Sequence, residues 1–275
     1  MTQVQSTFGF WEDKQAVWCE GAKPVASPLA QYPKMIDNGF GRMVERPPIY
    51  LSGVSNASVM SAARDLPNLG VLVTPATSCY VDHIDAYEFF AIDNGCFSGQ
   101  GNFDEDKFYR ILKRVKDEGK SHKCLFAVAP DVFDPVACKG DWKATVERSL
   151  PHLARIRAMG VPAAIVLQDG ATADTIPWDK IDVLFVGGST EFKIGADETG
   201  KRTCRKFVEI VREAKKRNIP MHFGRVNSWL RMEIVHYGLF ADSMDGTYIK
   251  FGPEENLANL KGWLKPWGKF PSKCR

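Results

Sequence analysis

The sequence predicts an α/β protein folded as a closed (β/α)8, or TIM, barrel. Eight short apolar or β-branched runs recur from Ile49 onward. Stretches with the 3.6-residue apolar period of helices lie between them. Five of the runs end in a small polar cluster, as parallel strands do when their C-terminal tips converge on one site.

Taken in order, residues 1–47 read as an irregular N-terminal extension. They hold scattered prolines (Pro24, Pro28, Pro33, Pro47), several aromatics (Phe8, Phe10, Trp11, Trp18) and no sustained period. Such a segment suits an arm packed across the barrel, over the pocket mouth or against nucleic acid, or a partly ordered lead-in. Residues 48–275 form the barrel domain. Its expected strands are Ile49 to Val54, Gly70 to Thr74, Phe89 to Asp93, Cys124 to Ala129, Ala163 to Gln168, Val183 to Gly187, Pro220 to Gly224 and Ala241 to Thr247. Asp104 opens a helix through Lys116, with Phe108, Ile111, Leu112 and Val115 on one face. Asp141 opens a second helix through Met159, stopped by Gly160. Further helices run from Thr203 to Lys216, from Ser228 to Tyr237 and from about Glu254 to Leu264. Strands alternating with helices imply parallel crossovers. A doubly wound sheet is the rival fold, but Ser52-Gly53-Val54-Ser55 stands where its first strand would carry G-x-G-x-x-G.

A chain of 275 residues suffices for one such domain, and 44% hydrophobic with 25% charged residues is an ordinary globular balance. No apolar run of about 18 residues predicts a membrane span. The N-terminus lacks a basic-then-apolar leader pattern, so a cytoplasmic protein is expected. Seven cysteines, an odd number without C-x-x-C, read as reduced thiols. No motif for a metal, a nucleotide or a redox cofactor stands out. The net charge of +3 permits a polyanionic partner without demanding one.

The strand tips carry the chemistry. Asp93-Asn94-Gly95-Cys96-Phe97 places a carboxylate, an amide and an aromatic after the third strand. Taken alone it is equally a turn. Asp131 follows Pro130, which keeps the residue before it extended; a helix cap or turn is the plainer reading. Gln168 can donate to and accept from an amide-like heterocycle, or be a satisfied strand-end polar group. Gly187-Gly188 lets backbone N–H groups approach a ligand, or simply makes a tight turn. Asp242 and Asp245 are three residues apart on the last strand, so they face opposite ways and Asp245, nearer the tip, faces the pocket. His222 suits a base or a structural histidine, and Arg225 suits a phosphate. Lys193, Arg202 and Arg205, with Lys201 and Lys206, either neutralise phosphates or form a solvated helix face.

In this order, over roughly residues 49 to 250, the motifs resemble the tRNA-guanine transglycosylases. That family carries Asp-Ser-Gly-Gly-Phe, an Asp after strand four, Val-Gln-Gly-Gly, a Gly-Gly pair and a carboxylate on strand eight. Cys96 and Asp169 stand here where the family has glycine. Tryptophan-containing residues 260–275, with Cys274, stand where the tRNA enzymes place a zinc subdomain. A compact, zinc-free chain is most similar to the deazapurine DNA-modification transglycosylases of bacteriophages and bacterial gene clusters. The resemblance implies a pentosyltransferase that exchanges guanine in DNA for a 7-deazaguanine such as preQ0, without cofactor or metal, and often as a homodimer. If phage-encoded, it would act in the host cytoplasm. It also implies roles: Asp245 as nucleophile with Asp242 as fallback, and Asp93 as general acid/base. Asp131 and Gln168 would read the guanine edge, Gly188 N–H would donate to O6, and Phe97 would stack on the base. The target base must leave its stack. The rival functions are a tRNA-acting enzyme, a barrel glycosidase using the same carboxylates, and a silent nucleic-acid-binding subunit.

Overall fold

The computed structural model describes residues 22–37, 43–137, 139–194, 205–251 and 253–265. Its centre is an eight-stranded barrel: β1 (Ile49–Ser52), β2 (Leu69–Val73), β3 (Phe90–Ile92), β4 (Cys124–Val128), β5 (Ala163–Leu167), β6 (Val183–Val186), β7 (Met221–Phe223) and β8 (Ser243–Gly246). The strands pair in parallel in chain order, and β8 closes on β1 with Ser243 opposite Ile49 and Asp245 opposite Leu51. These are the eight strands expected from the sequence. Alternate residues divide into two cores, as a period of two requires. Ile49, Leu51, Leu72, Phe126 and Val166 fill the barrel interior. Tyr50, Val71, Ile92, Ile165 and Met244 face outward into the layer beneath the helices.

The helices follow local chemistry. After a single helical turn at Pro28–Gln31, α1 (Ala57–Asp65) is capped by Asn56, whose side chain accepts from Val59 N. It is not among the helices expected from the sequence. β2 is followed by a 3-10 stretch, Pro75–Ala86, opened by a reciprocal Thr74/Thr77 capping box. Asp104 caps α2 (Glu105–Asp117) and Asp141 caps α3 (Trp142–Ala158), each accepting from a backbone N–H three residues on. A short α4 (Thr190–Ile194) and then α5 (Arg205–Lys216) follow β6. Thr203, expected to open the latter helix, lies outside the described residues. Ser228 caps α6 (Trp229–Glu233), which runs into one π turn, Ile234–Gly238. The last helix is α7 (Pro253–Trp263). Turns alone join β5 to β6.

The described part of the N-terminal extension packs under the barrel, at the end opposite the strand tips. Ser27 Oγ donates to Leu125 O at 2.6 Å, and Leu29, 3% exposed, joins the interior core. Val25 N donates to Asp182 Oδ1 at 3.2 Å. Asp182 also takes both arms of the buried Arg157 guanidinium, at 3.0 and 2.9 Å. Residues 22–37 and 43–47 therefore close the bottom of the barrel; of the placements open from sequence, these residues do not cover the mouth. No helix among the described residues is long and apolar enough to cross a membrane.

Candidate active site

The tips of the strands enclose a cavity of about 640 Å³. Asp93, Asn94, Phe97, Asp131, Gln168, Gly187, Gly188, Lys193, Arg225 and Asp245 all line it. Motifs spread along the chain from Asp93 to Asp245 thus meet in one place, as the barrel reading requires.

One wall is a hydrogen-bonded lattice around Asp131. Asn94 Nδ2 donates to Asp131 Oδ1 at 3.0 Å and to Ala129 O at 2.9 Å. Gln168 Nε2 donates to Asp131 Oδ2 at 2.9 Å and to Val132 O at 3.1 Å. Thr145 Oγ1 takes the Val132 N–H and donates to Gln168 Oε1, both at 2.8 Å. The threonine hydroxyl has one proton, so Gln168 must present its oxygen there and its NH2 to Asp131. Burial raises the Asp131 pKa against the opposing pull of the Asn94 amide. The sequence placed Asn94 among the substrate-binding residues and left Gln168 as either a ligand contact or a satisfied strand-end group; both line the cavity, but as donors they are satisfied. Both protons of each amide are already engaged inside the protein, so these two residues hold Asp131 in place. The Cys96 side chain also hydrogen-bonds the Asp131 carboxylate.

The carboxylates Asp93 and Asp245 differ from one another. Asp93 takes the Gly95 N–H at 3.2 Å. Burial, reinforced by the charges of Asp131 and Asp245, pushes its pKa up to about 7. Asp245 Oδ1 lies 3.1 Å from His222 Nε2, and His222 Nδ1 lies 2.8 Å from Ser243 Oγ. Of the roles open to His222 from sequence, a ligand-facing base or a structural histidine, the geometry favours the second: it is fully buried behind Asp245 and does not line the cavity. Residue parity sends 243 and 245 inward and 242 outward. Asp242 accepts from Met221 N at 2.9 Å and stands 3.9 Å from Lys215 Nζ on α5. It is therefore no alternative to Asp245 at the mouth.

The remaining wall is cationic and aromatic. Lys193 Nζ donates to Gly224 O at 3.2 Å, and Arg225 donates to Gly188 O at 2.7 Å. Burial and the neighbouring Arg225 charge bring the Lys193 pKa down to about 8. Phe97, 55% exposed, stands at the rim against Phe133, ring centroids 5.0 Å apart, with the Arg225 guanidinium 5.3 Å from its ring. Gly188 adopts φ +57°, the left-handed region that suits glycine. Among the described residues its N–H has no partner, whereas Gly187 N–H is held by Leu167 O at 3.0 Å. Arg202 and Lys201 lie outside the described residues, and of Arg205 only the helical backbone is described.

Sequence reasoning missed Phe133, Lys139, Ser189, Asn227 and Arg231, which also line the cavity. Phe133 and Lys139 belong to a two-residue ribbon, Phe133–Asp134 with Lys139–Gly140, too short to leave a period. Asp169, another lining residue, was visible within its motif but without a role. It accepts from Ser189 N and Oγ at 2.7 and 2.6 Å and so fixes the loop after β6. Among the described residues no group of three or more His, Cys, Asp or Glu is placed to hold a metal.

No family model and no curated protein matches the chain. Among solved structures, a mandelate oxidase mutant with a flavin adduct is similar at TM-score 0.51 and 13% identity, over 88% of this chain and 76% of that one. The deoxyribose phosphate aldolase of Aeropyrum pernix is similar at TM-score 0.46 and 12% identity, over 73% and 85% of the two chains. An aldolase, QR15, is similar at TM-score 0.45 and 14% identity, over 78% and 97%. None of the three is a guanine transglycosylase. The likeness to the mandelate oxidase, at 13% identity, speaks for the barrel alone.

Proposed function

We propose that the chain is an enzyme that exchanges guanine in DNA for a 7-deazaguanine through a covalent Asp245–glycosyl intermediate. The observation that carries this reading is the pair Asp93 and Asp245, two carboxylates on one cavity in opposite environments. Asp93 is burdened by burial and by two neighbouring negative charges. Asp245 faces a hydrogen-bonding imidazole. Two carboxyl groups so differentiated divide the roles of acid and nucleophile.

In this reading Asp245 Oδ2 attacks C1′ of a flipped-out deoxyguanosine, and the C1′–N9 bond breaks. Asp93, protonated, gives its proton to the departing guanine. The incoming deazaguanine then returns a proton from N9 to Asp93 while N9 attacks C1′ and releases Asp245. The exchange balances without a cofactor. Asp131 accepts from guanine N1–H and N2–H, a donor pair that adenine lacks, and Gly188 N–H donates to O6. Lys193, Arg225 and Arg231 line the same cavity and suit the flanking phosphates.

The test is incubation with duplex DNA and preQ0, followed by nucleoside digestion and mass spectrometry, with tRNA in a parallel tube. A deazaguanine nucleoside in DNA is the expected product. Modified tRNA alone would move the reading to the tRNA enzymes. Released guanine without insertion would make the chain a hydrolase. Asp245→Asn abolishes the denaturation-resistant DNA adduct; an undiminished adduct rejects the nucleophile.

A further inference from the structure

We infer that the buried Ser243–His222 pair is a positioning device that holds Asp245 in a single orientation toward the cavity. The chemical part of this inference rests on the transglycosylation reading, and the geometric part stands without it.

The interior of β6, β7 and β8 is where the pair sits. Phe185 is the register partner of His222, and His222 that of Ser243. The imidazole is fully buried, with the Phe126 and Phe185 rings 4.8 and 4.7 Å away. A histidine in so apolar a place is costly unless both nitrogens are satisfied. Both are, by Ser243 Oγ at 2.8 Å and Asp245 Oδ1 at 3.1 Å.

The chemistry of the partners sets the tautomer. An ionised Asp245 only accepts, so Nε2 carries the proton. Burial holds the ring neutral, with the Lys193 charge acting in the same sense and Asp245 opposing. Nδ1 then has only a lone pair, and the Ser243 hydroxyl must donate to it. The chain of donors runs Ser243 O–H to His222 Nδ1, and His222 Nε2–H to Asp245 Oδ1. Oδ1 is thereby held, and Oδ2 has no hydrogen-bond partner among the described residues. Rotation of the carboxylate would break the Nε2–H bond. A neutral donor fixes the nucleophile without pairing it with a full positive charge, and it stabilises the carboxylate again when that group leaves C1′.

Two measurements test this on the full chain. In ring 15N–1H NMR with labelled histidine, His222, assigned by its loss in His222→Gln, shows a neutral Nε2–H ring from about pH 6 to pH 8. Ser243→Ala keeps the Nε2–H tautomer, which Asp245 sets, and shifts the Nδ1 resonance as that nitrogen loses its hydrogen bond. A charged ring or an Nδ1–H ring in the wild type overturns the inference. In single-turnover adduct formation with duplex DNA, His222→Leu is slower by roughly 100-fold with DNA affinity unchanged. His222→Gln, which keeps a side-chain N–H, stays within about 10-fold of wild type. Equal losses in the two variants, or loss of DNA binding with the rate, also overturn it. If His222→Leu does not fold, His222→Gln and Ser243→Ala still decide. If the wild type forms no adduct, the transglycosylation reading falls and the NMR result alone judges the pair.

Discussion

At the scale of single residues, Asp93 makes the sharpest claim. Its pKa rises from 3.8 to about 7, chiefly through burial. The folded protein therefore binds a proton that the unfolded chain has released between about pH 4 and pH 7. Stability must fall as pH rises across that window, because the native state holds more protons there. Asp93→Asn removes the dependence, and at pH 8 the variant is more stable than wild type by about 1–2 kcal/mol. That figure is below the full linkage of a dry carboxyl because the group opens on the cavity. Urea unfolding of both proteins at about pH 5 and pH 8 checks the sign. A wild type that gains stability over the window, relative to the variant, would contradict it. In the proposed reaction the same proton serves the chemistry, so adduct formation should decline above about pH 7, and Asp93→Asn should be slow at every pH. An adduct rate flat with pH in the wild type would take the acid role away from Asp93.

At the scale of elements, the ribbon after β4 is wedged against the lattice that holds Asp131. A Cβ added at Gly140 would lie 2.6 Å or closer to three atoms of the Gln168 amide. Gly140→Ala thus pushes Gln168 off Asp131 and Val132. DNA-dependent adduct formation drops by roughly 10- to 100-fold while thermal stability changes by about 1 kcal/mol or more. Kinetics beside a melting curve would show it, and an unchanged rate would mean that the lattice is not needed. This element also shows what the sequence did and did not reveal. The strands were legible because their residues are buried on both faces and read as apolar runs. Asp104, Asp141 and Ser228 were legible as caps because capping is local. The wiring of the site was not. Asn94 and Asp131 both stand at tips, but their hydrogen bond spans 37 positions, and nothing local tells a ligand-binding amide from one engaged by the protein. His222, Ser243 and Asp245 share the inner face by parity, yet their contact depends on the register between β7 and β8.

Across the whole molecule the two ends of the barrel do different work. At the bottom, Arg157 and Asp182 form a bidentate pair with side chains 5% and 4% exposed, joining α3, β6 and the N-terminal arm. Arg157→Leu leaves a buried carboxylate without its partner and costs about 3–5 kcal/mol. Denaturant titration should show that loss, while the protein that remains folded keeps its adduct rate, since the pair lies opposite the cavity. A loss under about 1 kcal/mol would mean that water reaches the pair.

At the top, the cavity mixes both charges: Asp93, Asp131, Asp169 and Asp245 line it together with Lys139, Lys193, Arg225 and Arg231. Carboxylates to take N–H donors and cations to take negative charge suit the proposed nucleotide. A net charge of only +3 makes these local cations, rather than the overall field, the source of any attraction for phosphate. Each phosphate neutralised by a lysine or arginine releases condensed counterions, so on the proposed reading affinity for duplex DNA falls steeply with salt. Arg231→Gln should weaken binding about equally for all DNA sequences and lower the slope of log affinity against log salt by about 1. Arg225 also ties Gly188 O, so Arg225→Gln should lower the slope in the same way and slow the proposed exchange besides, because the loop carrying the proposed O6 donor loosens. Fluorescence-anisotropy titrations at several salt concentrations, paired with single-turnover rates, separate the two effects. A salt slope unchanged in both variants would place the phosphates elsewhere and leave these arginines as rim structure.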